Sequence, residues 1–188
     1  MYGCNLGILQ EQVNPNTYLI LTIINKMKKI AKLLTLLGTF IIISGCHSNK
    51  AETELNANRE LVLKYHKIFS SGETNKLNEV IASDFVCHFI GGREWIGIEG
   101  AQNSISNLRK SFPDWSEEVV DIIAEGNKVV TRFKSRGTHQ GTFMGIDSTG
   151  NKIEVFETCI YRIENGKIVE QWGFPDITSL RTQLMKKK

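Results

Sequence analysis

GTHQGTFMGIDSTGNKIEVFETCIYRIENGKIVEQWGFPD, residues 137–176, is the stretch that decides the fold. Asn165-Gly166 stands between the run Glu157–Ile163 and the run Lys167–Trp172. An Asn-Gly pair between two such runs is a strong hairpin signal, because both residues tolerate positive φ. Thr149-Gly150-Asn151, after Gly145-Ile146-Asp147, reads as a second, looser turn. The C-terminal half is therefore expected to be an antiparallel meander.

Upstream, Glu125-Gly126-Asn127 joins two more strand runs, Glu117–Ala124 and Lys128–Thr138. In the second run Lys128, Arg132, Lys134 and Arg136 share one parity, while Val129, Phe133 and His139 share the other;. Before these strands the period changes. Leu61, Tyr65, Ile68 and Phe69 make one apolar stripe, which predicts a helix over 58–71 that stops at Gly72;. A short helix is expected over 74–82, a strand over 84–89 and a loop over 93–97. A third helix is expected over 99–111, with Ala101, Ile105, Leu108 and Phe112 on one face and Pro113 after it;. Pro175–Met185 closes the chain as a helix. Helices segregated from an antiparallel sheet mean α+β. A curled sheet with helices over one face leaves a concave pocket, so residues 58–185 are expected to form one domain.

The N-terminal region reads as an address. Met27-Lys28-Lys29-Ile30-Ala31-Lys32 is a basic segment, and Leu33–Ile43 is a short apolar one. That order describes a secretory signal with translation starting at Met27, and the apolar run is short for a membrane span. Ile43-Ser44-Gly45-Cys46 resembles a bacterial lipobox, which implies lipid on Cys46 and attachment to the membrane of a bacterial cell envelope, outside the cytoplasm. A plain secretory signal or membrane span with a chance Cys is the alternative. Residues 1–46 are then leader and 47–57 a polar tether.

The whole chain has 23 Lys and Arg against 20 Asp and Glu. Residues 1–46 hold four of the Lys and one Glu, so the remainder carries equal numbers of each sign. A neutral domain of interleaved charge argues against a nucleic-acid partner. There is no CxxC or HExxH, hence no metal motif;. Beyond the leader only Cys87 and Cys159 remain, readable as buried thiols or as a disulfide;.

The strand around Glu157 holds most of the candidate chemistry. Ile153, Val155, Glu157, Cys159, Tyr161 and Ile163 share one parity. The other parity is also apolar in its middle, so both faces are expected to be covered, one by helices and one lining the pocket. Glu157 is then a carboxylate among apolar neighbours, where burial raises the pKa toward the range of a general base. A rim position or an Arg partner is the alternative. His139 continues an apolar parity, as either a core histidine or a site residue. His88 follows Asp84-Phe85-Val86. His66, off the main stripe of the first helix, is expected at the surface. Trp95, Trp172, Phe143 and Tyr161 are candidate pocket walls.

Gly137-Thr138-His139-x-Gly141-x-Phe143-x-Gly145-Ile146, then Thr149-Gly150, then Tyr161-Arg162-Ile163-x-Asn165-Gly166-Lys167-Ile168-Val169-Glu170-x-Trp172 resembles the SnoaL-like polyketide cyclase (ester cyclase-like) family. Asp84-Phe85-Val86 and Phe112-Pro113-Asp114 fall in family order. The resemblance implies the cone-shaped nuclear-transport-factor-2-like fold, whose members commonly pair through the outer sheet face. The charges of 128–136 neither demand nor exclude a homodimer. It also implies cofactor-free, metal-free acid/base chemistry on a small hydrophobic carbonyl compound, with a pocket carboxylate moving the proton. By the same analogy His139 assists, His88 lines the pocket, and the base comes from the Glu157–Cys159 segment. Many members carry Asp where this chain has Cys159, and a thiol substitutes for a carboxylate only if its pKa is lowered. A binding module for a small hydrophobic ligand or a protein partner at the envelope is the second reading.

Overall fold

The computed structural model describes the backbone of residues 15–187 and the side chains of residues 19, 22–32 and 50–187. Its contacts divide the chain into two units, Met1–Lys50 and Ala51–Lys188, and the sheet and apolar core belong to the second. Helix α1 (Pro15–Ser71) contains the expected helix over 58–71 and also the stretch 47–57. The side chain of Cys46 lies outside the described residues. Among the described residues no helix is long and apolar enough to cross a membrane.

Val62, Tyr65 and Ile68 bury the inner face of α1, with Leu61 and Phe69 partly covered beside them. Gly72 turns the chain out of the helix at φ 73°, a conformation that costs glycine little;. A 3-10 helix (Thr74–Glu79) follows. Then come β1 (Ile81–Phe89) and β2 (Arg93–Ile96), the latter an edge strand where a loop is expected, and α2 (Gly97–Ser111). Arg109 of α2 donates to the carbonyls of Ser70, Pro113 and Trp115, tying the end of α1 to the chain that leaves α2.

β3 (Ser116–Glu125), β4 (Lys128–Thr138), β5 (Lys152–Glu164), β6 (Lys167–Pro175) and α3 (Ile177–Leu184) complete the chain. The six strands lie in the order β2-β1-β6-β5-β4-β3. All neighbours are antiparallel except β1 and β6, which run parallel. The parallel seam places the early strand beside the last one and closes the fold. Asn165 and Gly166, at φ 50° and 70°, form the expected tight turn between β5 and β6.

β4 and β5 form the expected second hairpin, but through a long connection, residues 139–151, in which His139 donates to the Asn151 carbonyl, Gly150 donates to the His139 carbonyl and Phe143 bridges Ile146. Gln140 and Gly141 donate their N–H groups to the Ser111 carbonyl at the end of α2. Backbone packing at that end of α2 therefore seats the start of the connection, while Gly150, at φ 66°, makes the looser turn at its end.

Only one face of β5 is covered, contrary to the expectation of two. Ile153, Val155, Cys159, Tyr161 and Ile163 are buried, whereas Phe156 on the other face is 46% exposed. The outer apolar residue is explained by cations: Arg132 and Lys134 stand 4.8 and 5.4 Å from the Phe156 ring;. The inner face thus carries both the core and the pocket. A second apolar cluster, Phe112, Trp115, Ile153, Val155, Leu180 and Leu184, lies under α3.

Candidate functional site

The inner face of the sheet, α2 and the end of α1 enclose a cavity of about 390 Å³. Phe69, Trp95, Leu108, Trp115, Phe143 and Met144 make it apolar. A smaller space of about 60 Å³ adjoins it, bounded by Tyr65, Phe85, Cys87, Cys159 and Gln171. Phe69, Phe89, Trp95, Ser104 and Glu157 border both spaces. Such a concave apolar space with few polar groups is the form small-molecule sites take.

Glu157 stands where the two spaces meet. The alternation of β5 turns it inward, and β4 and β6 flank it through Phe133 and Pro175. Protein covers the carboxylate except where it faces the cavity. Burial pushes its pKa up to about 7, Ser135 opposes the rise, and the charge of Glu117 adds to it. Ser135 Oγ donates to Glu157 Oε1 over 2.6 Å, which fixes the carboxylate's orientation.

Cys159 lies two residues on, in the same wall. Gln171 Nε2 donates to its Sγ over 3.3 Å, and Tyr65 Oη donates to Gln171 Oε1 over 3.0 Å. Burial, and then the nearby Glu157, drive the thiol far above its ordinary range, which favours its protonated form;. Burial likewise pushes Cys87 up to about 12. Both cysteines are free thiols.

The remaining expected site residues divide. Trp95 lines both spaces and Phe143 the larger. Tyr161 is fully buried and borders neither; its hydroxyl meets His66 Nε2 at 3.0 Å. His139 is also fully buried and borders neither. Its ring stacks on Phe112, and its Nδ1 meets Thr149 at two points, the Oγ1 at 3.0 Å and the backbone N–H at 3.3 Å. Among the described residues Nε2 has no partner. The Gly-Thr-His stretch thereby organises the 139–151 loop instead of reaching the cavity.

His88 and Trp172 stand on the outer face, because β1 and β6 turn Cys87 and Gln171 inward. Their rings stack at 5.7 Å. His88 bridges Glu94 of β2 and Glu170 of β6 at 2.8 and 2.9 Å. Glu170 and then Glu94 raise the His88 pKa. This cluster joins the edge strand to the sheet and faces away from the cavity.

His66, expected at the surface, is buried. Its Nδ1 meets Glu117 Oε2 at 2.6 Å and its Nε2 meets Thr131 Oγ1 at 3.2 Å. Trp115 Nε1 donates to the other oxygen of Glu117 over 3.1 Å. The signal was present in the sequence: Asn58, Val62 and His66 recur every four residues and all three are buried, so they form a flank of the stripe;. Glu117 carried no such signal, since its polar side chain faces inward at the start of β3. A groove of about 1090 Å³ between α1 and β3 lies over this pair and opens to solvent.

This sheet order and this concave inner face are those of the cone-shaped α+β fold. The family model of SnoaL-like polyketide cyclases matches residues 59–184, and the chain belongs to that family. IdmH of Streptomyces antibioticus, a candidate polyketide cyclase, is 32% identical; the match covers 68% of this chain and 97% of that one, at TM-score 0.62. A candidate SnoaL-like polyketide cyclase from Jannaschia sp. CCS1 has the same fold at 22% identity, covering 71% of this chain and 94% of its own, at TM-score 0.66. TsrD of Streptomyces laurentii, at 24% identity, covers 69% and 96%, at TM-score 0.63. No curated protein matches the chain.

Proposed function

We propose that the domain carries out cofactor-free proton transfer on a small hydrophobic carbonyl compound, with Glu157 as the general base. One observation carries this reading: an inward carboxylate on an apolar cavity, held by Ser135, with its pKa raised to about 7. A base poised near the working pH combines a useful deprotonated fraction with enough basicity. Glu157 takes a proton from the carbon beside the carbonyl; the C–H electron pair becomes the C=C bond and the carbonyl π pair moves onto oxygen, giving an enolate. The resulting carboxylic acid then returns the proton to carbon, or the enolate carbon attacks a second carbonyl of the same molecule and the acid protonates the alkoxide so formed, which regenerates the carboxylate. Ser104 and Asn107 on α2 line the cavity and offer donors to the enolate oxygen.

The test is hydrogen–deuterium exchange at the α-carbon of an aryl ketone such as 1-tetralone, followed by NMR. Wild-type protein accelerates exchange, with a rate that rises through about pH 7. Glu157→Gln abolishes the acceleration while the ketone still binds; exchange at the wild-type rate in that variant refutes the assignment. The second reading, a binding module, is favoured by the lining itself. Among the described residues that line the cavity, Glu157 is the sole acid or base that titrates near neutrality. That reading expects saturable binding of the ketone and no exchange.

The lipobox-like Ile43–Cys46 supports a lipid-anchored protein at the bacterial envelope. Metabolic labelling with a palmitate analogue tests this. Label lost in Cys46→Ser supports anchoring, and label retained refutes it.

A further inference from the structure

We propose that Arg93 selects the ligand's charge: the cavity takes an amphipathic molecule whose anionic head sits on the Arg93 guanidinium and whose apolar body points toward Glu157, a proposal that rests on this cavity being the ligand site. Arg93 lines the cavity and is also solvent-exposed, so it stands at the opening. It opens β2, opposite Phe89 of β1 in the antiparallel register. Its guanidinium carbon lies 5.2 Å from the centre of the Phe89 ring, and Phe89 lines both spaces. Stacking on a ring leaves the N–H edges of a guanidinium free, and those edges match a carboxylate or sulfonate in two-point contact.

Two properties separate Arg93 from an ordinary surface arginine. Arg132, Arg136 and Arg162 on the sheet are each engaged by one or two carboxylates. Arg93 has no ion pair among the described residues, and its neighbour Glu94 is turned to the outer face, where it holds His88. In addition, Arg93 and Glu157 are the only charged side chains among the described residues lining the larger space. Arg93 borders only the larger space, whereas Glu157 also borders the deeper one. Both charges impose the same orientation on an anionic ligand. The head is drawn to Arg93 and repelled by Glu157, so the apolar body fills the aromatic walls and its inner end meets the carboxylate.

The experiment compares two fluorescent probes with the same aromatic body, 1-anilinonaphthalene-8-sulfonate and neutral N-phenyl-1-naphthylamine. Each is titrated against the full domain, and each is competed against the other. Wild type is expected to bind the sulfonate about fivefold more tightly, the size of a partly exposed charge contact. Arg93→Gln removes that preference, weakening the sulfonate about fivefold more than the neutral probe. Arg181→Gln, an equal change of charge on α3 away from the cavity lining, leaves the preference intact. Equal affinities in wild type, or a preference that survives Arg93→Gln or is lost equally in Arg181→Gln, overturns the role of Arg93 while the cavity still stands. Failure of either probe to bind, or to compete with the other, overturns the cavity as the ligand site and Arg93 with it.

Discussion

Replacing Glu157 with Gln should stabilise the protein, and by an amount that depends on pH. The folded-state pKa is raised from the ordinary 4.5 to about 7. Between those values the unfolded chain has released the proton and the folded chain still holds it. Stability must therefore fall as pH rises from about 4.5 to about 7, and stay level above;. At about 1.4 kcal/mol per pH unit, the span from 4.5 to about 7 caps the loss at about 3.5 kcal/mol. Water in the cavity screens one side of the carboxylate, which sets the expected loss at about 1 to 3 kcal/mol. The amide of the Glu157→Gln variant has no proton to lose, and its oxygen can still accept from Ser135. The assay is urea unfolding of both proteins at pH 5, 6, 7 and 8 at constant ionic strength. Contributions from all other groups cancel in the difference between the two proteins. The variant's advantage should grow from pH 5 to 7 and then flatten. A pH-independent difference refutes a desolvated carboxylate and, with it, the general-base assignment.

Three further outcomes follow from the packing. His66→Ala strips the partner from the buried Glu117 and should cost about 3 kcal/mol in urea unfolding, with part of the loss recovered by adding Glu117→Gln;. A full-strength single variant would mean that Glu117 finds water instead. His88→Gln should lower stability most below pH 6.5 and progressively less as pH rises through the raised His88 pKa, because the stabilising protonated form is then lost in wild type too;. The pair is one-third exposed, so the effect stays under about 1 kcal/mol;, read from unfolding curves at pH 5 and 9. Gly141→Ala would place a methyl 2.5 Å from the Lys110 carbonyl oxygen. It should cost about 1 to 3 kcal/mol and weaken binding of N-phenyl-1-naphthylamine, since the same loop carries Phe143 and Met144; unchanged binding and stability would show the loop is not seated there.

Local chemistry made much of this fold legible. Asn165-Gly166 fixes a turn by backbone conformation alone, and the parity of 128–136 separates charged from apolar faces whatever lies nearby. The matching register of β4 and β5 then puts Glu157 on the inner face. Other features were illegible because they depend on contacts distant in sequence. Thr149-Gly150 gave the turn, but not where the connection docks: the Ser111 carbonyl, far back in the chain, captures Gln140 and Gly141. His139 sits on an apolar parity, as a pocket residue would. What excludes it from the cavity is Phe112, stacked on its ring.

The sequence by itself determined the domain's helices, the strands other than β2 and the single carboxylate carried on an inward apolar parity, because turn conformation and side-chain periodicity are local. Only the tertiary structure decided which side chains share a space. The parallel pairing of β1 with β6 turns His88 and Trp172 outward, the packing of α1 on β3 buries His66 against Glu117, and the return of β2 along β1 brings Arg93 to the opening of the cavity that ends at Glu157. These are long-range pairings, and nothing in the local pattern of either partner encodes them.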